Sequence, residues 1–272
     1  MNIKDKVAFI TGAGSGIGRA IAQSLAKRGC HLALSDVNAE GLGQTAEQVS
    51  LFGVRVSQHV LDVTDRESIL GLPGAIEQQH GGVDILINNA GIAAGGTFLQ
   101  VSEETFDRVM DINFHAVVRM TRAFLPYLQK RKEALIVNIS SLYGLVSPIE
   151  QSAYSASKFA VRGFSNALRH ELEHTSVRVT VVHPGGVATN IAKHAVVPDG
   201  VTQAEAQLRL SQVEKLLSMP PERAGEIIVR GIEQNKARVI VGADAQFVAL
   251  IERFMPVHYW KVLKALTKMR EK

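Results

Sequence analysis

Hydrophobic and polar positions along the 272-residue chain follow two alternating patterns. Short apolar runs predict buried strands, and segments whose apolar residues recur three and four positions apart predict helices. The predicted strands lie at 6–10, 32–35, 54–60, 83–87, 134–139, 177–182 and 238–241. Since strands alternating with helices pair in parallel, we predict an α/β fold: a single doubly wound, Rossmann-type domain with a parallel sheet of about seven strands and helices on both faces.

A glycine-rich turn separates the first strand from the first helix, which covers 21–26. Its glycines are Gly12, Gly14, Gly16 and Gly18, while position 17, where the usual dinucleotide fingerprint has glycine, is Ile17. Such a turn, bracketed by a strand and a helix, places backbone N–H groups and the positive end of a helix around a pyrophosphate. The turn therefore predicts a dinucleotide site.

The second strand ends at Asp36, where a carboxylate can accept hydrogen bonds from ribose hydroxyls and repel a 2′-phosphate. Neither Ser15 in the turn nor Val37 after the acid is basic, so we expect NAD(H) to be preferred over NADP(H). The alternative interpretation is that Asp36 only caps the helix that starts at Asn38.

Two further helices carry features that affect the site or its supports. The helix at 65–79 has Thr64 as its expected N-cap, and a long helix at 103–130 carries Asn113 among apolar residues and Pro126 near its end. A buried helical asparagine is most often structural. The alternative is that Asn113 breaks the helical hydrogen-bond ladder and orders a water near Lys158.

Tyr154 and Lys158 lie four residues apart in a helix predicted at 153–173, so they project from one face. A nearby ammonium favours the phenolate, so we expect Lys158 to lower the pKa of Tyr154 and let the phenol exchange protons near neutral pH. Ser141, at the end of the preceding strand, can hold the reacting oxygen by a hydrogen bond. Taken alone, this spacing is usually a solvated helix face.

Composition adds limits on the class of protein. The 46% hydrophobic and 21% charged content is that of a globular protein, and no apolar run reaches the ~20 residues that span a bilayer. The polar start predicts no secretory leader. Cys30 is the single cysteine, so no internal disulfide can form, and we expect its side chain in the core. The absence of disulfides favours a reducing, cytoplasmic location. No metal site is predicted.

These segments, taken together, resemble the short-chain dehydrogenase/reductase family over roughly residues 4–242. Segment 11–18 matches the family's cofactor turn, 62–63 its adenine contact, 88–91 its sheet-stabilising motif and 184–189 its nicotinamide turn. The resemblance implies a catalytic tetrad of Asn113, Ser141, Tyr154 and Lys158. The cofactor-binding candidates are Gly12, Ser15, Gly16, Ile17, Gly18, Asp36, Asp62, Val63, Asn89, Ala90, Gly91, Tyr154, Lys158, Pro184, Gly185, Val187 and Thr189.

The resemblance implies an NAD(H)-dependent oxidoreductase that interconverts a hydrophobic secondary alcohol and its ketone, with Tyr154 as general acid and base. We expect small and apolar residues to line the substrate pocket, namely Ala93, Ala94, Leu142, Tyr143, Val146 and Ile149. Two alternatives stay open: a 3-ketoacyl reductase, which Asp36 disfavours because reductive biosynthesis usually draws on NADPH, and a catalytically silent NAD-binding sensor. A nucleic-acid partner lacks a recognition motif.

The chain is divided into a dinucleotide-binding domain at 1–243, with a substrate lid at about 190–219, and a C-terminal extension at 244–272. Residues 252–272 hold six basic and two acidic residues, which equals the whole net charge of +4. A basic amphipathic helix there suggests peripheral contact with a membrane or a partner groove. The alternative is that it packs on its own subunit over the pocket or a subunit interface. The oligomeric states common in this family imply a homodimer or a homotetramer.

Overall fold

The structure is a computed structural model that describes residues 1–198 and 201–270, apart from the side chains of 203, 204, 209 and 266–270. Asp199 and Gly200 of the predicted lid therefore lie outside the described residues, as do the basic side chains of Lys268, Arg270 and Lys272.

Seven parallel strands form one sheet in the order β3-β2-β1-β4-β5-β6-β7. The strands are β1 (Val7–Thr11), β2 (His31–Asp36), β3 (Val56–Val60), β4 (Ile85–Asn88), β5 (Ala134–Ile139), β6 (Val177–Pro184) and β7 (Arg238–Val241). The order reverses between β1 and β4, and the connections diverge there to leave a crevice beyond the strand ends. The predicted doubly wound sheet is confirmed, although β3 begins at 56 rather than 54.

Helices cover both faces of this sheet. They are α1 (Gly16–Ala26), α2 (Ala39–Ser50), α3 (Arg66–His80), α4 (Glu103–Met110), α5 (Ala116–Leu128), α6 (Ser152–Glu171), α7 (Gln203–Leu216), α8 (Pro221–Glu233), α9 (Ala243–Phe254) and α10 (Tyr259–Arg270). A π-helical turn joins α4 to α5, and a short 3₁₀ turn follows β5. No helix within the described part of the chain is long and apolar enough to cross a membrane.

Two hydrophobic cores lie on opposite faces of the sheet, as β1 shows. Ala8 and Ile10 point into the core beneath α1, α2 and α8, while Val7 and Phe9 point into the core beneath α3, α5 and α6. This alternation follows from the two-residue period of a strand. Phe9 stacks on Phe124 of α5 with ring centroids 4.9 Å apart.

Helices α1 and α8 pack against each other closely. A Cβ at Gly225 would lie 2.6 Å from the Ala20 backbone, so only glycine allows the two helices this approach. Arg28 at the end of α1 forms ion pairs with Glu226 at 2.6 Å and Glu233 at 3.2 Å. The pair of helices is therefore fixed both by backbone packing and by charge.

Two local predictions about helices are wrong or incomplete. Asp65, not Thr64, caps α3, because its carboxylate accepts hydrogen bonds from the amides of Glu67 and Ser68 while the Thr64 hydroxyl donates to Asp62 at 2.8 Å. The long helix predicted at 103–130 is interrupted by the π turn Asp111–His115. The predicted 190–219 lid contains α7.

Candidate functional site

A cleft of about 1280 Å³ opens at the carboxyl ends of the strands. Every predicted cofactor-binding residue except Gly18 lines it, and so do Ser141, Tyr154 and Lys158 of the predicted tetrad. Gly18 and Asn113 lie behind its wall. The structure therefore brings together residues that are spread from position 12 to position 189 of the chain.

The glycine turn has a backbone that only glycine adopts readily. Gly12 and Gly16 have φ of 64° and 51°. A side chain at Gly18 would overlap the Gly12 carbonyl, which explains why this glycine is needed although it does not line the cleft. Helix α1 begins at Gly16 with no acidic residue in its first turn, and its N-cap, Ser15, makes no capping hydrogen bond. The positive end of α1 is thus available to an anion.

Asp36 joins the glycine turn to the start of α2. Its two carboxylate oxygens accept hydrogen bonds from Gly14 N at 2.8 Å and Asn38 N at 2.9 Å. The N-cap of α2 is Asn38, whose side chain accepts from Gly41 N at 3.1 Å, so the alternative of Asp36 as the cap is not what the structure shows.

Arg19 also lines this wall of the cleft and is not among the residues predicted for it, because neither the glycine turn nor the residue after Asp36 contains it. Its guanidinium donates to the carbonyls of Gly14 and Gly41 and, through Nε, to Thr45 Oγ1 at 2.9 Å. The missed signal was a basic residue on the first turn of α1. Arg19 adds a positive charge near Asp36 and braces the glycine turn against α2.

The end of β4 braces the opposite side of the glycine turn. The amides of Asn89 and Ala90 both donate to Thr11 Oγ1 at 3.0 Å, and the Asn89 side chain donates to the carbonyls of Thr11 and Gly12 at 3.0 Å. Asn88 donates to Asn138 of β5 at 2.8 Å. Segment 88–91 therefore ties three neighbouring strand ends together.

Tyr154 and Lys158 lie on one face of α6, as their spacing predicts. Lys158 Nζ is 5.6 Å from the centre of the Tyr154 ring and donates to the Ile139 carbonyl at 3.1 Å. The Lys158 side chain is buried, and Ser140 Oγ donates to the Lys158 carbonyl at 2.8 Å. The end of β5 thus holds Lys158 through both its ammonium and its backbone carbonyl.

Loss of hydration is the main influence on the ionisation of both groups, although Lys158 is buried and Tyr154 keeps part of its surface open to the cleft. Desolvation raises the pKa of Tyr154 to about 12, although a hydrogen bond with Ser141 opposes the rise. Desolvation also lowers the pKa of Lys158 to about 8. In the polypeptide alone the pKa of Tyr154 therefore moves opposite to the expected direction, because desolvation of the phenolate outweighs the opposing hydrogen bond with Ser141.

Asn113 lies in the π turn between α4 and α5 and is fully buried. Its Oδ1 accepts from Ile92 N at 2.8 Å, and its Nδ2 donates to Ile92 O and Ser157 Oγ at 3.0 Å. The helix is thus interrupted at Asn113, as one alternative proposes, and the Asn113 side chain is at the same time fully hydrogen-bonded within the protein, as the other proposes. A Cβ at Gly91 would lie 3.0 Å from Asn113 Oδ1 and 3.4 Å from Lys158 Nζ, so Gly91 allows these two groups to approach one another.

The turn after β6 closes the other end of the cleft. Gly185 N donates to the Val241 carbonyl at 2.9 Å, and Gly186 N donates to Asp244 Oδ2 at 2.7 Å. Asp244, the second residue of α9, also lines the cleft. Sequence reasoning missed Asp244 because its contact joins positions that are far apart in the chain.

The predicted substrate pocket is only partly correct. Ala93, Leu142 and Tyr143 line the cleft. Ala94 and Val146 are instead buried in the protein, and Ile149 is 71% exposed outside the cleft. Loop residues around a short 3₁₀ turn do not follow the simple alternation of a strand, so their directions were not predictable from spacing.

These features fit a bound dinucleotide. The glycines leave room that a Cβ would fill, the end of α1 is positive, and a carboxylate lies at the end of β2. Asp62 and Val63 at the end of β3 provide the adjoining wall. Among the described residues, no group of three or more His, Cys, Asp or Glu side chains is placed to hold a metal ion.

Comparison with known proteins agrees with the dinucleotide-binding fold and cleft described above. The profile of a family described as short chain dehydrogenase matches residues 6–198. SadH of Mycobacterium tuberculosis, named as an oxidoreductase, is 42% identical over 267 residues, 97% of this chain and 96% of SadH.

Two solved structures share the fold over almost the whole chain. A short-chain dehydrogenase/reductase of Burkholderia phymatum in complex with NAD has a TM-score of 0.86 at 26% identity and covers 93% of this chain and 94% of its own. A short-chain dehydrogenase of Streptomyces avermitilis has a TM-score of 0.80 at 30% identity and covers 98% of this chain and 97% of its own. This chain therefore belongs to the short-chain dehydrogenase/reductase family of oxidoreductases, which bind a nicotinamide cofactor.

Proposed function

We propose that this protein is an NAD(H)-dependent dehydrogenase/reductase that interconverts a hydrophobic secondary alcohol and its ketone. The observation that carries the proposal is the placement of Ser141, Tyr154 and Lys158 along one wall of a cleft whose other end has the glycine turn. The acid–base group and the cofactor site are thereby within one cavity.

In this proposal, each polar side chain has a separate task. Ser141 holds the substrate oxygen by a hydrogen bond, and Tyr154 receives the hydroxyl proton in oxidation or returns it in reduction. Lys158 contributes positive charge and binds the ribose beside the nicotinamide. Asn113 supports a water relay that leads protons away through Lys158.

A nicotinamide cofactor held by this cleft would supply the hydride chemistry and, in its oxidised form, a positive charge. That charge is needed because burial alone keeps Tyr154 protonated, with its pKa at about 12. A protonated phenol is the form that reduction uses, and a phenolate is the form that oxidation uses. We therefore expect oxidation to become faster as the pH rises and reduction to persist at lower pH.

We propose NAD(H) rather than NADP(H) because the Asp36 carboxylate lies at the end of β2, where it would repel a 2′-phosphate. Arg19 lies nearby, but its Nε already donates to Thr45 and its Nη2 to the carbonyls of Gly14 and Gly41. The guanidinium is thus held by the protein's own oxygens and braces the turn.

We further propose a domain at 1–243, including the lid at about 190–219, and an extension at 244–272. The boundary at 243 is supported by α9, which begins directly after β7. The lid is supported by the backbone pairing of 187–188 with Met219, which follows α7. We also propose that the protein forms a homodimer or homotetramer, since its family commonly does. A reducing, cytoplasmic location is supported by the single cysteine, Cys30, which is buried in the core.

A substrate screen tests this function. Purified protein is mixed with NAD or NADP and with steroid, acyl-chain and simple secondary alcohols, and absorbance of the reduced cofactor is followed. We expect NAD reduction with a hydrophobic secondary alcohol. Activity with 3-hydroxyacyl substrates and NADP alone would favour the 3-ketoacyl reductase, while cofactor binding without turnover of any alcohol or ketone would favour the silent sensor.

A further inference from the structure

Exposed apolar side chains lie on loops that line the cleft and on the segment just before α10. We call this set the hydrophobic rim, and it consists of Phe98, Leu99, Ile149, Val197, Phe254 and Val257, whose exposed fractions range from 54% to 93%. Single exposed apolar residues are normal on any protein, but a group around one opening marks an interaction surface.

Hydrogen bonds show that the segments of the rim are neighbours. Gly96 N donates to Glu150 O at 2.9 Å, and Val196 N donates to Ala93 O at 3.0 Å, which joins the loops that carry Phe98, Ile149 and Val197. The same three loops line the cleft. The rim is therefore the border of the candidate substrate entrance.

Helix α10 connects the C-terminal part of the rim to this border. Tyr259 Oη accepts a hydrogen bond from Ser147 N at 3.0 Å, only a short distance along the chain from Ile149. Phe254 and Val257 lie just before Tyr259. One hydrogen bond thus joins α10 to the loop after β5, while the apolar side chains that precede α10 stay exposed.

The positive charge of α10, beside the hydrophobic rim, indicates the kind of surface that covers the rim. Lys261 and Lys264 of α10 are exposed, and within the described side chains neither lies in an ion pair. The sequence from 252 to 272 has six basic and two acidic residues. If the rim lay at the centre of a two-fold interface, the basic segments of the two copies would lie close together and repel each other, whereas an anionic surface would attract them.

We propose that the hydrophobic rim and the lysines of α10 dock the protein on an anionic phospholipid bilayer. The rim side chains enter the boundary between headgroups and acyl chains, while Lys261 and Lys264 bind the anionic headgroups. The cleft then opens towards the lipid and receives an alcohol or ketone that partitions into the membrane. This second part rests on the proposed function, whereas the docking does not.

Flotation with vesicles tests the docking on the full-length protein. We expect the protein to float with phosphatidylcholine vesicles that contain phosphatidylserine and to float much less with phosphatidylcholine alone. The double variants Phe254→Ser with Val257→Ser and Lys261→Glu with Lys264→Glu should each reduce binding, the latter by about tenfold. The matched control is Leu51→Ser with Leu70→Ser, which removes two equally exposed apolar side chains far from the rim and should float like the original protein.

Three results would overturn the docking proposal. They are failure of the original protein to float with the anionic vesicles, equal loss of flotation in the control variant, and flotation that the rim and lysine substitutions leave unchanged. If light scattering shows a dimer that the rim substitutions dissociate, while vesicle binding is unchanged, the rim contacts a second copy instead. Since all the substituted side chains are exposed, thermal melting is expected to be unchanged and verifies that each variant is folded.

The substrate part has its own measurement. NADH formation from a long-chain secondary alcohol embedded in vesicles should fall in the rim variant, while the rate with a short, water-soluble alcohol stays the same. Equal rates for both alcohols in both proteins would overturn entry from the lipid. If the original protein floats but oxidises neither alcohol, the proposed function fails and the docking stands.

Discussion

Tyr154 and Lys158 show how burial and charge compete at a single pair of residues. Their spacing on α6 was predicted from the sequence, and the structure places Nζ 5.6 Å from the ring centre. The direction of the Tyr154 pKa shift was not predicted, because desolvation depends on the strands and loops that enclose the ring. The phenol is therefore held as an acid until positive charge is added beside it.

Replacing Tyr154 with phenylalanine removes the hydroxyl and keeps the ring. We expect turnover to fall by about a hundredfold or more, since no other group can exchange the substrate proton, while NADH binding survives. Steady-state rates and NADH fluorescence titration measure the two effects. Tyr127→Phe is the matched control, because this phenol lies on α5 and does not line the cleft. Near-normal turnover in Tyr154→Phe would refute the assignment.

Replacing Asp36 with alanine tests the cofactor preference. The change removes a carboxylate that would bind the ribose, so we expect the KM for NAD to rise roughly tenfold and the discrimination against NADP to relax. Glu40→Ala is the control, because it removes a negative charge from the same cleft without touching the glycine turn. An unchanged ratio of kcat/KM for NAD and NADP would contradict the preference for NAD.

At the scale of elements, the π turn between α4 and α5 positions Asn113 behind the cleft. The sequence left a break and a satisfied structural asparagine as alternatives, and Asn113 has both features, because Ile92 and Ser157 from other segments bind its side chain within the π turn. Gly91 lies between Asn113 and Lys158, where any Cβ approaches both. The geometry of the two polar groups is therefore sensitive to this glycine.

The Gly91→Ala variant tests that sensitivity. The added methyl displaces Asn113 or Lys158 slightly, so we expect kcat to fall about tenfold with a small change in melting temperature. The control is Gly71→Ala in α3, where a Cβ meets nothing within 4 Å. That substitution should leave kcat unchanged and stabilise the protein by about 0.5–1 kcal/mol. Equal effects of both substitutions on kcat would show that Gly91 has no special part in positioning Asn113 and Lys158.

The ion pairs between α1 and α8 predict how stability depends on pH. Hydrogen bonding to Arg28 lowers the pKa of Glu226 from 4.5 to about 2 in the folded protein. The contribution of Glu226 is therefore complete above about 4.5 and is lost as the pH falls through about 2.

Arg28→Gln should consequently reduce the urea midpoint most at neutral pH, with a difference that shrinks as the pH falls towards 2. Lys130→Gln, which breaks an exposed pair with Glu77 at 4.0 Å, should change the midpoint little at any pH. A difference for Arg28→Gln that is constant across this pH range would show that the guanidinium acts through packing alone.

At the scale of the whole molecule, α9 reaches back to the turn after β6. Asp244 accepts the Gly186 amide, so the segment after the last strand helps to shape the proposed nicotinamide end of the cleft. The boundary proposed at 243 thus separates two parts that share one site.

Asp244→Ala removes this link. We expect the KM for NAD to rise several-fold because the Gly186 amide loses its acceptor, while the melting temperature changes little at this exposed position. Glu252→Ala on the same helix is the control and should keep the original KM. A KM that Asp244→Ala leaves unchanged would show that the turn is held without α9.

The sequence by itself determined the alternating strands and helices, the glycine turn, and the residues that meet at the strand ends. These follow from local spacing, because a period of two or of 3.6 residues fixes which side chains share a face. Only the tertiary structure decided the cap of α3, the ionisation of Tyr154, the positions of Arg19 and Asp244, and the exposed rim. Each of these depends on burial or on contact between residues far apart in the chain, which no local pattern records.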